Sequence, residues 1–225
     1  MDKDCHLRLF LRPMPRPLLK RNAFAPYHVT TRANNREWFS LPLDKVWKIS
    51  LLALKEAYDS YPVDLISFVL MHNHYHMLIR TPDSNLDLFM YVFNKRFSEY
   101  LRHDSGRVNR MFGGRYKWCL IQSDTYLFNC YKYIYQNPLR AGLIANCEDY
   151  PYSTLNYLVH AKSFVIPICD IFGFKHGYNL IWLNQQLENY QVQSIRTALR
   201  GPELNSIKNR ISRKEMRFKP PPLYI

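Results

Sequence analysis

Acidic residues, paired cysteines and long apolar runs are all scarce in this 225-residue sequence. The five cysteines, Cys5, Cys119, Cys130, Cys147 and Cys169, are odd in number, widely spread and include no C-x-x-C. That pattern excludes a disulfide framework and a thiolate zinc site, and leaves them as small buried apolar residues. With no long apolar run and no basic amphipathic helix at either end, membrane-spanning and membrane-surface classes are set aside. The basic N-terminal stretch is broken by Pro13, Pro15 and Pro17 and lacks the apolar centre of a signal peptide, so a cytoplasmic location is expected. Internal repeats are absent. Asp and Glu number 18 against 31 Lys and Arg, a formal net charge of +13. Such an excess says little about fold, but it favours a polyanionic partner, phosphate backbones first, through counterion release.

What is present suffices for one domain with a full core and an appendage, or for two small domains: 47% of residues are hydrophobic and 15% aromatic. Residues 1–22 form a basic arm, either lying on a nucleic acid or loosely ordered. Residues 23–160 carry the readable pattern. β-branched and aromatic residues predict a strand over 27–32, broken by Asn34-Asn35. Val46, Ile49, Ala53 and Ala57 recur at helical spacing over 43–60, with Asp44 as N-cap and Pro62 as the stop. An apolar strand over 63–71 and a partner strand over 74–80 follow. Leu86, Phe89, Phe97 and Leu101 mark a second helix to about residue 103, stopped near Gly106. Residues 107–117 are basic, contain Gly113-Gly114, and read as a mobile loop. A strand over 118–122 and a helix over 125–136, stopped by Asn137-Pro138, complete the pattern. This order predicts an α+β, split βαβ fold: four antiparallel strands with two helices on one face and the last helix beside the other. Residues 161–225 read as a basic, mainly helical extension, with helices near 155–159 (just before it) and 181–192. Its end, from Arg196 to Lys219, is either a second DNA-contacting module or a solvated tail.

The chemistry is concentrated around Met71-His72-Asn73-His74-Tyr75-His76. If residues 74–79 form a strand, His74 and His76 project to one face and Tyr75 to the other. Two imidazoles on one sheet face are half of a divalent-metal site, although a bare His-x-His is more often an ordinary pair of histidines. About sixty residues on, Tyr133 and Asn137 lie four apart and share a helix face. An amide oxygen is a competent ligand for magnesium or manganese. A tyrosine one turn away has the reach to attack a bound phosphodiester, but with an ordinary pKa near ~10 it needs a metal or base. Tyr126, Tyr131 and Tyr135 compete for that role on the same helix, and for any single tyrosine core packing is the commoner fate. Spacing alone does not show that strand and helix meet.

At this point the sequence resembles the REP-associated tyrosine transposases, single-tyrosine members of the HUH superfamily. The resemblance rests on five segments in order. They are Tyr27-His28-Val29-Thr30-Thr31-Arg32-Ala33-Asn34-Asn35, Met71 to His76, Arg110-Met111-Phe112-Gly113-Gly114-Arg115-Tyr116-Lys117, Tyr133 to Gly142, and Tyr150-Pro151-Tyr152-Ser153-Thr154. Together they span about residues 26–158, and nothing specific is matched beyond about residue 160. The resemblance implies a ferredoxin-like (RRM-like) sheet, in agreement with the strand order. It implies His74 and His76 as ligands of a divalent cation, Mg2+ or Mn2+, Asn137 as a third ligand, and Tyr133 as the nucleophile that forms a 5′-phosphotyrosine and frees a 3′-hydroxyl. The implied substrate is single-stranded DNA beside an imperfect hairpin, such as a repetitive extragenic palindrome. His72 stands where the family usually has proline, which leaves open a third imidazole near the metal.

Arg107, Arg110, Arg115 and Lys117, with Tyr116 and Trp118, would hold the strand by phosphate contact and stacking. Arg32 and Arg140, inside the matching segments, join that set. The plainer account of the loop is a solvated basic face. Two further classes stand beside the transposase: a domesticated, non-catalytic hairpin-binding protein on the same fold, and a metal-dependent hydrolase with a water nucleophile. An intact His pair, Tyr and Asn weigh against the first. The absence of a carboxylate beside the pair weighs against the second. Neither oligomeric state, monomer or homodimer, is selected by the residues.

Overall fold

Alternation along one strand divides the protein into two faces. In β1 (Tyr27–Arg32), Tyr27, Val29 and Thr31 project to one side and His28, Thr30 and Arg32 to the other. The computed structural model describes residues 18–174, 179–204, 206–208 and 212–216. The expected core of the arm, Cys5 and the basic residues Arg210, Arg217 and Lys219 lie outside the described residues. Of the expected arm, Lys20 pairs with Glu203 at 2.7 Å and Arg21 with Asp87 at 2.6 Å.

The sheet runs β2 (Asp64–Leu70), β3 (His74–Arg80), β1, β4 (Lys117–Ile121), β5 (Glu203–Leu204). Each neighbouring pair among the first four strands is antiparallel. This is the expected ferredoxin-like arrangement. The fifth strand, parallel to β4, was not foreseen: a two-residue strand has no periodicity to detect.

Helices α1 (Leu43–Ser60) and α2 (Leu86–Ser105) cover one face. Val46, Ala53, Leu54, Phe89, Phe93 and Phe97 meet Tyr27, Val29, Tyr75 and Met77 there. Tyr75 is fixed in this layer: it donates to Asn94 Oδ1 at 2.7 Å and lies 2.8 Å from Thr31 Oγ1. Helix α1 begins one residue before Asp44, with Pro42 at its cap and no side-chain capping bond; Asp44 instead lies in the first turn.

Helix α3 (Asp124–Arg140) lies on the other face, with α4 (Thr154–Val159), α5 (Leu180–Asn184) and α6 (Asn189–Ala198). Trp182, Leu183, Ile195, Leu199 and Leu204 of the C-terminal part are buried in the same cluster as Cys130, Tyr131 and Ile134 of α3. The single helix expected over 181–192 is two. Its break is held by Gln136, which donates to Leu183 O at 2.7 Å and Gln185 O at 2.9 Å and accepts from Leu187 N at 3.1 Å. A capping box between Glu188 and Gln191 then restarts the helix.

Two further expectations change. The basic loop is tied to the end of β1: Asn34 N donates to Met111 O at 2.9 Å, Gly113 N donates to Arg32 O at 3.0 Å, and Met111 and Phe112 are buried. Apolar residues inside a basic segment anchor it. Helix α3 also continues through Asn137-Pro138 to Arg140. Pro138 lacks the N–H that would reach Ile134 O. Asn137 Nδ2 supplies it instead, donating to Ile134 O at 3.2 Å and to Tyr133 O at 3.0 Å. Among the described residues, no helix is long and apolar enough to cross a membrane.

Replacing Gln136 with Leu keeps the volume but strips one buried and two part-buried backbone groups of their partners. A loss of about 2 kcal/mol is expected, read as a lower urea midpoint with faster proteolysis between α5 and α6. An unchanged midpoint would mean that these bonds contribute nothing net.

Candidate active site

The His face of the sheet carries the chemistry. Antiparallel register sets His76 opposite Thr30 and His74 opposite Arg32, and β4 places Lys117 opposite Thr30. His74 and His76 therefore project together, with rings 5.0 Å apart at 86°. His28, two residues along β1, closes against them: its Nε2 lies 2.8 Å from His76 Nδ1, with the rings stacked at 5.1 Å. His28 was not singled out in the sequence. Alternation within β1 could assign it a face, but only the register with β3 puts it beside His76.

Helix α3 crosses this face and delivers Tyr133, whose ring centre lies 5.8 Å from His76 and 6.5 Å from His28. The rival tyrosines are committed elsewhere. Tyr126 bonds Glu215, Tyr131 packs against Phe172 and Phe174, and Tyr135 shares a 2.7 Å hydrogen bond with Thr154. Asn137 follows one turn after Tyr133. Because its amide nitrogen is spent on the helix carbonyls, its Oδ1 faces outward and accepts from Arg140 Nη2 at 2.9 Å. An amide oxygen has two lone pairs, so one remains.

The imidazoles are neutral at pH 7. Burial pushes His28 down to about 3. Burial, with the Arg32 and Arg196 charges, pushes His74 down to about 4. Burial first, then His74, His28, Arg140 and Arg32, hold His76 well below the usual range. Hydrogen bonds orient the lone pairs. Asn73 Nδ2 donates to Arg36 O at 2.7 Å, so Asn73 Oδ1 faces His74 Nδ1 as an acceptor at 2.7 Å. His74 Nδ1 therefore carries the hydrogen and Nε2 the lone pair. Either nitrogen can donate in the His28–His76 contact; in the tautomer where His76 Nδ1 donates, His76 Nε2 carries the lone pair.

Among the described residues, no group of three His, Cys, Asp or Glu is arranged to hold a metal. The candidate donors here are of another kind: two neutral imidazoles on β3 and one amide oxygen on α3. They suit a divalent cation that completes its shell with oxygen from water and phosphate. His72 makes its ring contact elsewhere, 4.6 Å from Trp38.

Cations surround this set. Arg140 lies over the Tyr133 ring at 4.8 Å, and its Nε and Nη1 are buried without a partner. Burial lowers its pKa to about 10, so it stays charged at neutral pH. Arg196, from α6, donates from Nε to Tyr133 Oη at 3.4 Å. Among the described residues, none of Arg32, Arg140 and Arg196 is ion-paired with a carboxylate. A cluster of uncompensated guanidinium groups beside neutral imidazoles is built to receive an anion.

The other basic residues expected to hold DNA are not gathered here. Arg107 is bound to Glu37 at 2.8 Å. Arg110, Arg115 and Tyr116 line a cleft of about 630 Å³ against Lys95 and Arg102 of α2, and Arg115 lies over the Tyr116 ring at 5.3 Å. Tyr116 packs in the α1–α2 core, so this cleft belongs to the opposite side of the sheet. Lys117 alone of the loop shares the His face.

Residues 25–137 match the family described as "Transposase IS200 like", and with half of its length inside that match the chain belongs to this transposase family. A curated protein of Haemophilus influenzae named as a REP-associated tyrosine transposase is 26% identical over 121 residues, covering 49% of this chain and 69% of that one. A solved structure, described as a REP-associated tyrosine transposase bound to a REP hairpin, superposes with a TM-score of 0.57 at 19% identity, over 70% of this chain and 93% of its own; it speaks for the fold. Arg140 and Arg196 lie outside the family match.

Acid should loosen the site. Unfolded, His28 takes a proton below about 6.5; folded, only below about 3. Between those values the unfolded chain holds more protons, so stability falls as pH drops. At pH 5 this one group should account for about 2 kcal/mol relative to pH 7.5. Urea unfolding of the protein and of His28→Gln at both pH values checks it: the variant should lose less on acidification, and equal losses would contradict the assignment.

Proposed function

We propose that this transposase is a metal-dependent single-strand DNA endonuclease and strand transferase. It cleaves beside a hairpin through a covalent 5′-phosphotyrosine on Tyr133. The observation that carries this reading is the placement of Tyr133. It is the α3 tyrosine on the His face, and it stands among guanidinium groups that, among the described residues, have no carboxylate partner. His74 Nε2, His76 Nε2 and Asn137 Oδ1 would hold Mg2+ or Mn2+, which when bound polarises the scissile phosphate and neutralises charge developing on it. The arginines around the pair make that cation more welcome together with a phosphodiester than alone.

Tyr133 supplies the nucleophilic oxygen. Its O–P bond forms as the bond from phosphorus to the upstream O3′ breaks. The phenolic proton leaves to solvent, and the 3′-oxygen departs as a hydroxyl. Arg140, over the Tyr133 ring and with its Nε and Nη1 unspent, orients the ring and meets a phosphate oxygen. His28 positions His76 by fixing its tautomer. Rejoining runs the same steps in reverse, so the phosphodiester bond energy is kept in the linkage. A hairpin partner is supported by the relatives' names and by the cleft formed by Arg110, Arg115, Tyr116 and Lys95. Phosphate contact and stacking at that cleft suit a folded strand held away from the cut.

With a labelled single-stranded hairpin oligonucleotide in manganese, the protein should form an adduct stable to denaturing gels, mapping by mass to Tyr133 and absent in EDTA. Tyr133→Phe should abolish the adduct and leave hairpin affinity within about twofold. His76→Ala should lower the adduct rate by at least about 100-fold. Tight hairpin binding with no adduct in any metal would instead identify a domesticated binding protein. Cleavage that survives Tyr133→Phe would point to a water nucleophile.

A further inference from the structure

The residue that touches the Tyr133 hydroxyl does not come from the family's own segment. Arg196 lies on α6, in the C-terminal part, about sixty residues beyond the end of the family match at residue 137. Its Nε donates to Tyr133 Oη at 3.4 Å. Arginine has no lone pair to offer in return, so the phenol accepts from Arg196 and keeps its own proton free. Among the described residues, no acceptor takes that proton. The charge of Arg196 also reaches His74 and Arg140, so one guanidinium addresses the tyrosine and its neighbours together. The helix that carries it is firmly seated. Val192, Ser194, Ile195 and Leu199 are buried, and Gln136 of α3 holds the linker that precedes it. Arg196 itself is exposed, so substitution there removes little packing.

We propose that Arg196 is a catalytic residue, a guanidinium supplied by the C-terminal extension that holds the Tyr133 oxygen and balances its negative charge as the O–P bond forms or breaks. This rests on Tyr133 being the nucleophile. On attack, the phenol loses its proton to solvent, its oxygen bonds phosphorus and the upstream O3′ leaves. On rejoining, the 3′-hydroxyl loses its proton to solvent as its oxygen bonds phosphorus, and the phenolate leaves with Arg196 donating to it until solvent returns its proton. Residues 25–137 therefore do not contain the whole active site; α6 completes it with Arg196.

The test uses the full-length protein under single-turnover conditions, with saturating labelled hairpin oligonucleotide in manganese. Arg196→Ala should slow adduct formation by about 10- to 100-fold, with the hairpin Kd changed by less than about threefold. Arg196→Lys should recover part of the rate, and added guanidinium ion should partly rescue Arg196→Ala but not the wild type. A rate within twofold of wild type, a faster rate, or a loss confined to Kd would each overturn the proposal.

A DNA-free measurement separates this from failure of the reaction assignment. An aryl sulfonyl fluoride transfers its sulfonyl group to a phenol oxygen with loss of fluoride, and labelling is mapped by mass at Tyr133 against exposed Tyr190. Arg196→Ala should reduce labelling at Tyr133 alone by at least about fivefold. If the wild type forms no adduct but this selective drop is seen, Arg196 serves Tyr133 and the reaction was misassigned. If labelling is unchanged, the assignment of Arg196 fails whatever the reaction.

Discussion

The register between β1 and β3 is the constraint on which the site depends. Pairing Thr30 with His76 and Arg32 with His74 sends Tyr75 into the α1–α2 core and both flanking histidines to the other face. A one-residue slip would reverse every one of these side chains. Burial of Tyr27, Val29, Tyr75 and Met77 under α1 and α2 makes that slip costly, because it would exchange a full aromatic and aliphatic layer for polar groups. The hydrophobic effect on one face thus holds the geometry of the imidazoles on the other.

Helix α3 answers that face with a second device. A proline four residues after Ile134 would ordinarily leave a carbonyl unpaired, and the Asn137 amide fills the gap. That repair lets the helix run to Arg140 and turns the amide oxygen outward. The same bonds that keep the helix whole thereby aim Asn137 Oδ1 and place Arg140 over the Tyr133 ring. Structure and function draw on one set of contacts, so a change at Asn137 or Pro138 acts on both.

Charge links the composition to the site. The net charge of +13 is not spread evenly. Several surface cations are paired with carboxylates, as Arg80 is with Asp64 and Arg107 with Glu37. Among the described residues, Arg32, Arg140 and Arg196 near Tyr133 are not. Positive charge without a carboxylate partner beside neutral imidazoles favours an anion there. Basic residues thus stand on both sides of the sheet, with Arg140 and Arg196 beside Tyr133 on one face and the cleft lined by Arg110 and Arg115 on the other.

The sequence by itself determined the four antiparallel strands, the helices on either side, and the facing of His74 with His76, because period-2 and period-3.6 patterns are set by local backbone geometry. It also gathered four candidate tyrosines on one helix, of which the family resemblance pointed to Tyr133. The tertiary structure shows what each one faces: Tyr133 lies beside His76 and His28, while Tyr126, Tyr131 and Tyr135 are bonded or packed elsewhere. The loop 107–117 read as mobile because its charge outweighed Met111 and Phe112, whose burial is visible only once β1 and α2 are in place. His28 joined the pair through strand register. Arg196 reached Tyr133 through the docking of α6, held by a buried glutamine 60 residues earlier in the chain. Contacts at such separation leave no periodic trace in the sequence, because they depend on which surfaces meet and not on how far apart the residues stand along the chain.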